Sequence, residues 1–372
     1  MHLSSLSPYC FRNLSPGSIT FSPGLNFIFG KNGQGKSNIL EAVSLLSTTT
    51  SFRTKRSSDL TTWGKDECSV AGIVSQDGTI FELLVTLQHG RRSAFVNGDR
   101  LKRLSDFVGK LPAVTFSPND LELIKGGPGE RRAFLDRYCS FLYPQYFESL
   151  SRLHQITRSK AALLKENPSS LSALQSWNEL FAEEAFTVAS FRRLFISDLE
   201  PGAQIVHRRY ASNDGSLELR LVSQLLHESG AVKSRQEILN DLSAVHQRER
   251  AAAKVLYGPQ RDDIEIFLNE KSSRSFASQG QSRSLVLSLL MSVLELLRAK
   301  NGDYPILLLD DVESELDHGR RNDFFTALLD HGCQTIVTGT ERAEFSISNQ
   351  LLDQASYYVV EAGEVCQIDS KN

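Results

Sequence analysis

The chain has 372 residues, of which 40% are hydrophobic and 23% charged, with a formal net charge of −3. Such a chain can bury a full-sized core without disulfides or a structural metal. The balance excludes a globally basic nucleic-acid binder, so any surface for phosphates has to be local.

Met1 to Gly17 carries no basic start followed by an apolar centre and does not read as a signal peptide. Leu25-Asn26-Phe27-Ile28-Phe29 reads as a short buried strand. It runs into Gly30-Lys31-Asn32-Gly33-Gln34-Gly35-Lys36-Ser37, which fits G-x-x-x-x-G-K-[ST]. Ile39, Leu40, Ala42, Val43 and Leu46 then fall at helical spacing, so the motif has the strand, loop and helix it requires. The glycines permit backbone angles that a Cβ forbids and let amides approach an anion. The loop amides and the helix N-terminus direct partial positive charge at phosphates. In this chemistry Lys36 reaches the β- and γ-phosphates of a bound nucleotide, and the Ser37 hydroxyl ligates Mg²⁺. Without its flanks the run would be only a glycine-rich turn.

Ser51 to Arg56 forms a basic loop. Val70 to Val74 and Ile80 to Leu87, joined by Gln76-Asp77-Gly78, predict a hairpin. Ser93 to Val96, turned by Asn97-Gly98, predicts another strand. Strands with little helix between them point to an antiparallel sheet packed on the nucleotide core. Val114-Thr115-Phe116 is a buried strand ending at Ser117-Pro118. After Gly126-Gly127-Pro128-Gly129 the pattern is helical from Glu130 to about Arg193, with a break at Asn167-Pro168-Ser169-Ser170. Leu217, Leu219 and Leu221 alternate as a strand, as do Ile264, Ile266 and Leu268 after Gly258-Pro259. Residues 126–254 therefore read as a mainly helical insertion between two halves of one nucleotide-binding lobe, 1–125 and 255–372.

Ser278-Gln279-Gly280-Gln281 opens a mostly buried helix; alone, it is equally a capped helix start. Pro305 to Leu309 is an apolar strand ending in Asp310-Asp311. Beside a phosphate loop, Asp310 is placed to hold Mg²⁺ directly or through water, as in a Walker B strand. Taken alone, the two aspartates would be an N-cap and a turn. Gln334 to Thr338 is a further core strand. The five cysteines are scattered without C-x-x-C spacing, which argues against a zinc site and fits reduced thiols in a cytoplasmic protein. No apolar run approaches membrane-spanning length.

An early phosphate loop, a late Ser-x-Gly-Gln loop and a Walker B strand soon after it resemble the ABC-type ATPases, and within them the SMC-like branch. The intervening stretches resemble the RecF family of bacterial recombination mediators. These are Phe11-Arg12-Asn13-Leu14, Asn38 to Ala42, Ser51 to Thr54, Phe116 to Leu121, Arg131 to Asp136, Gly258 to Asp263 and Leu307 to Val312. Gln260 stands where that family usually has His, and Asp311 where most ABC enzymes have Glu. Thr338 lies near the place where ABC proteins often carry a His.

The resemblance implies an α/β fold, an ABC/SMC-like ATPase head with mixed parallel and antiparallel sheets and an inserted mainly helical lobe. It implies ATP contacts from Gly30 through Asn38 and from Arg12, and Mg²⁺ at Ser37 and Asp310. Lys36, Asp311, Ser278 and Gln281 would be catalytic, with Asp311 orienting water for slow, DNA-stimulated hydrolysis. Ser278, Gly280 and Gln281 would meet the γ-phosphate held by a second protomer, and Ser314-Glu315-Leu316-Asp317 would form the D-loop. Implied partners are double-stranded DNA and single-strand/duplex junctions, then RecR and RecO, which promote RecA loading at gaps. The implied place is the cytoplasm, at the nucleoid. Two other readings carry the same nucleotide motifs: the ATPase subunit of a membrane transporter, and a nucleotide-gated scaffold with little hydrolysis.

Charge patterning offers candidate DNA contacts. Residues 91–103 hold five Lys or Arg against one acid, and residues 129–165 hold seven against three. Arg91, Arg92, Arg131 and Arg132 are therefore expected to meet phosphates without base readout. Each of them could equally belong to a solvated charged surface.

Overall fold

The computed structural model describes residues 1–54, 56–166, 171–210, 215–311, 332–340 and 355–368. In chain order the first elements are β1 (His2–Tyr9), β2 (Ile19–Thr20), β3 (Leu25–Phe29), α1 (Lys36–Thr48), β4 (Glu67–Gln76) and β5 (Thr79–Gln88). Next come β6 (Arg91–Val96), β7 (Asp99–Arg100), β8 (Ala113–Phe116), α2 (Glu122–Lys125), α3 (Pro128–Leu142), α4 (Pro144–Glu166) and α5 (Leu171–Tyr210). They are followed by β9 (Leu217–Val222), α6 (Arg235–Ala252), β10 (Asp263–Leu268), β11 (Lys271–Ser272), α7 (Ser273–Phe276) and α8 (Gln279–Asn301). The last described strands are β12 (Ile306–Leu309), β13 (Thr335–Gly339), β14 (Ser356–Glu361) and β15 (Glu364–Ile368). Among the described residues no helix is long and apolar enough to cross a membrane.

These elements form two compact units, Met1–Asp120 with Leu290–Asn372, and Leu121–Leu289. The first unit holds two six-stranded sheets, ordered β2-β1-β4-β5-β6-β7 and β15-β14-β3-β13-β12-β8. The former is antiparallel, and its strands alternate: Val70 and Val74 on β4 and Leu83, Val85 and Leu87 on β5 face inward. In the latter, β14, β3, β13, β12 and β8 run parallel. Every residue of β3 is buried, as a strand covered on both faces must be.

Helix α1 lies between the two sheets, and Ile39, Leu40, Val43, Leu45 and Leu46 join one core cluster with residues of both. Gly72 on β4 allows this close approach, because a Cβ there would meet Leu46 Cδ1 at 2.6 Å. Gln334 ties the sheets by polar contact as well. Its side-chain amide accepts from Leu3 N at 2.7 Å and donates to Leu3 O at 2.9 Å, as a strand neighbour would. Buried backbone groups at Leu3 are thereby satisfied.

The second unit combines a three-stranded antiparallel sheet, β11-β10-β9, with α2 to α7 and the start of α8. Its limits, 121 and 289, lie outside the 126 and 254 read from the sequence. The cause is pairing: β10 hydrogen-bonds to β9 from Asp263↔Val222 to Leu268↔Leu217, which draws 263–272 into the inserted unit.

Helix α5 continues through Pro201 for 40 residues, well past Arg193. A proline inside a helix costs about 3 kcal/mol. Here neighbouring side chains anchor the turn to β9: Glu200 accepts from Leu219 N at 3.0 Å, and Gln204 donates to Leu217 O at 3.0 Å. Tertiary contact overrides the local signal.

Candidate nucleotide site

The loop between β3 and α1 is built to expose amides. Gly30, Gly33 and Gly35 have φ of 156°, 83° and 121°. A Cβ at Gly30 would collide with the Val360 carbonyl, and one at Gly35 would meet Asn13 Oδ1 at 2.9 Å. No side chain caps α1, and its first turn carries no acid. The helix N-terminus is thus left to an external anion. Lys36 Nζ folds over the loop and donates to the carbonyls of Gly30 and Lys31.

Residues distant in sequence clamp this loop. Asn13 Nδ2 donates to Gly33 O and Gln34 O, both at 3.2 Å, and Asn13 Oδ1 accepts from Asn38 Nδ2 at 2.7 Å. From the β14–β15 turn, Gly363 N donates to Gln34 O at 3.0 Å and Ala362 N donates to Gln34 Oε1. Gly363 has φ 84°, and a Cβ there would strike the Asn13 carbonyl.

The corner expected to hold the metal is equally defined. Ser37 Oγ and Thr338 Oγ1 both donate to Asp310 Oδ1 at 2.8 Å. Asp310 is 9% exposed at the end of β12. Asp311 is exposed, adopts φ 52° and donates its backbone N–H to Thr338 Oγ1 at 3.2 Å. A non-glycine residue in the left-handed region is uncommon and marks a site worth a functional question. The donors are hard oxygens, one carboxylate and hydroxyls, the set that suits Mg²⁺ completed by phosphate and water. Among the described residues no cluster of three His, Cys, Asp or Glu offers an all-protein cage.

Arg12 sits one step back. It forms a bidentate pair with the buried Glu41 of α1, Nε and Nη2 each at 2.8 Å. Ser51 Oγ also donates to Glu41, and Arg53 donates to Asn38 Oδ1 at 2.7 Å. Arg12 and Arg53 line a cleft of about 670 Å³ together with Thr54, Asp59, Thr62 and Trp63.

The Ser278 loop belongs to the other unit. Ser278 N donates to Gln281 Oε1 at 2.9 Å, and Gln281 N donates to Ser278 Oγ at 3.2 Å. This is a capping box at the start of α8. Gly280 lies in its first turn. Ser314-Glu315-Leu316-Asp317 lies outside the described residues.

Of the expected DNA contacts, Arg91 is exposed on β6. Arg92 is half-buried and donates to Ser57 Oγ at 3.0 Å; burial lowers its pKa from the ordinary arginine value. Arg131 is 3% exposed and turned inward, in a bidentate pair with Asp263 at 2.6 and 2.9 Å. Arg132 donates to Asp262 O at 2.8 Å. The basic excess of 129–165 is thus partly spent inside its own unit, contrary to the expectation for Arg131. Arg192 completes the pattern: it is buried and donates to Asp136 and Asp262 at 2.7 Å each. Burial raises the Asp262 pKa from the ordinary aspartate value against the pull of Arg192.

Residues 2–358 match the model of the RecF/RecN/SMC N-terminal domain. The chain belongs to this family. Within it the similarity is to the RecF branch. The DNA replication and repair protein RecF of Macrococcus caseolyticus is 32% identical over 98% of this chain and 99% of its own. RecF of Listeria monocytogenes is 34% identical, and RecF of Halalkalibacterium halodurans 35%, at the same coverage. A solved structure of the recombination mediator RecF with ATP, from the RecFOR pathway, superposes with a TM-score of 0.89 at 30% identity, covering 99% of this chain and 98% of the other. An SMC head bound to part of ScpA shares the fold, with a TM-score of 0.54 at 17% identity over 99% and 98%.

Asn13, Glu41 and Gly363 do not stand out as candidate site residues in the sequence. Asn13 and Glu41 fall within RecF-like stretches, which is their only signal there.

Proposed function

We propose that this chain is an ATP-dependent, DNA-binding recombination mediator of the RecF type. The observation that carries the reading is the Ser37–Asp310 contact, which joins the phosphate loop to the Walker B carboxylate. ATP would lie along Gly30 to Asn38, with Lys36 released from its loop carbonyls onto the β- and γ-phosphates. Mg²⁺ would be held by Ser37 and Asp310 and would neutralise phosphate charge. Asp311 would orient the attacking water. This chemistry is mainly positioning and charge stabilisation.

Bound ATP would join two protomers, with Ser278, Gly280 and Gln281 of one meeting the γ-phosphate of the other. Hydrolysis removes that contact and loosens the dimer. The clamped dimer would hold duplex DNA and single-strand/duplex junctions at gaps, where RecR and RecO promote RecA loading. The names of the RecF relatives and of the RecFOR-pathway structure support this part.

The test is ATP turnover across protein concentrations, with and without duplex DNA. Turnover per protomer should rise with concentration and with DNA. A rate independent of both would overturn the shared-site reading. Mixing Lys36→Ala with Ser278→Arg adds a direct check. Each homodimer has two dead sites, whereas one site of the heterodimer pairs an intact Lys36 with an intact Ser278. Partial recovery supports action across the dimer, and none argues against it.

A further inference from the structure

We propose that Lys125 is a positioning residue for the Ser278 loop. The inference rests on the reading of Ser278 as a γ-phosphate contact.

Lys125 closes α2, and its ammonium donates to three carbonyls, two in α7 and one just after it. Ser273 O lies at 3.3 Å and Arg274 O at 3.4 Å; the third is Ala277 O. Ser273 O also accepts from Ala277 N at 3.1 Å, so the ammonium adds a second bond to the turn that leads into Ser278. Here the location matters more than the helix. Ala277 immediately precedes Ser278, and the capping box of Ser278 and Gln281 begins at the next peptide. Lys125 therefore fixes the backbone on one side of Ser278, and α8 fixes it on the other.

The backbone beneath Lys125 is held by side-chain hydrogen bonds. Arg131 Nη1 donates to Leu123 O at 3.3 Å and to Gly126 O at 3.0 Å, which pins α2 on both sides of Lys125. Arg131 is itself locked to Asp263 at the start of β10. Strand β10 turns into β11, and α7 follows directly. The circuit Asp263, Arg131, Gly126, Lys125, Ala277 closes on itself within one unit. Its one solvent-exposed side-chain link is Lys125. That exposure makes it a poor stabiliser, since exposed charges are screened and contribute little. It remains an effective setting screw, because a shift of about 1 Å in a group acting on a transition state costs roughly a hundredfold in rate. The Ser278 loop is already a good helix start through its own capping box, so Lys125 adds direction rather than helicity.

The experiment is a double-mutant cycle on the full chain, reading ATP turnover at saturating ATP with duplex DNA present. Lys125→Met should lower kcat roughly tenfold, within the range a small misplacement produces. The KM for ATP and the thermal midpoint should stay unchanged, and Lys125→Arg should restore the rate. Lys125→Met combined with Ser278→Ala should be no slower than Ser278→Ala alone, because the lysine acts through the serine. A parental rate for Lys125→Met overturns the inference, as do losses that multiply in the double variant. A parental rate for Ser278→Ala with an impaired Lys125→Met overturns both this inference and the reading of Ser278. In the first two outcomes Ser278→Ala stays impaired, so the two failures are distinguishable.

Discussion

Ser37 Oγ donates to Asp310 Oδ1 at 2.8 Å, across 273 positions of sequence. Thr338 approaches the same carboxylate oxygen at the same distance. The two aspartates after β12 thereby differ in setting, one gathered inward by hydroxyls, the other exposed in a left-handed conformation. Asp310→Asn is expected to weaken ATP binding when Mg²⁺ is present and to leave Mg²⁺-free binding nearly unchanged. Asp311→Asn should bind ATP at the parental affinity and turn it over at least about a hundredfold more slowly. Calorimetry with and without Mg²⁺, beside a turnover assay, checks both. A parental rate for Asp311→Asn would move the water-orienting role to another residue.

The turn that clamps Gln34 makes a second expectation. Gly363→Val must place a branched side chain at φ 84° and against the Asn13 carbonyl. The left-handed conformation alone costs about 1–2 kcal/mol. Gly98 has φ 83° with nothing near its missing Cβ, so Gly98→Val is the matched control. Both should lose thermal stability by roughly 2–8 °C. Only Gly363→Val should also weaken ATP binding, because only it disturbs Asn13 and Gln34. Equal ATP affinity in the two variants would remove the clamp from the site.

DNA binding gives a third. Arg91→Glu with Arg92→Glu should weaken duplex binding of all sequences alike, since phosphate contacts carry no base information. The dependence of affinity on salt should flatten by about 0.9 in logarithmic slope for each phosphate no longer neutralised. ATP should tighten duplex binding in the parent, and ATP affinity itself should not change in the variant. Fluorescence anisotropy with labelled duplexes at several salt concentrations reads all of this. An unchanged slope would place the phosphate-binding residues on another surface.

The start of α6 offers a pH test. Ser234 and Glu237 form a reciprocal capping box, and hydrogen bonds from the Ser234 side chain and backbone lower the Glu237 pKa from the ordinary 4.5. A depressed carboxylate contributes stability above its unfolded pKa and loses it as pH falls through its folded pKa. The parent should therefore shed part of its thermal stability below about pH 4.5, beyond what Glu237→Gln sheds over the same range. Parallel melting curves from pH 6 to pH 3 for the two proteins would contradict this.

What could be read ahead of the structure was local or carried by family likeness. The strand, phosphate loop and helix from Leu25 to Leu46 are contiguous, and their chemistry is written in residue type and spacing. The aspartates after β12 gain meaning from the loop alone. Local windows mislead where partners are remote. Arg131 looks like a phosphate contact because Asp263, its partner, lies 132 positions away. Helix α5 outruns its signal because contacts from Glu200 and Gln204 to β9 hold the turn at Pro201. Gly363 bears no motif, and Asn13 only a family likeness; their contact with Gln34 is visible only in three dimensions.

Strand β3 carries the phosphate loop, and both of its neighbours, β13 and β14, are encoded far downstream. Asn26 reaches Thr335 O across 309 positions. At translation rates of about 5–20 residues per second, that interval lasts roughly 15–60 s. For that time the apolar run Leu25–Phe29 has emerged from the ribosome without either strand that will cover its edges. A nucleotide site at the loop after β3 could not be complete before β13 and β14 are made, so a ligand bound there could not stabilise the shorter nascent chain.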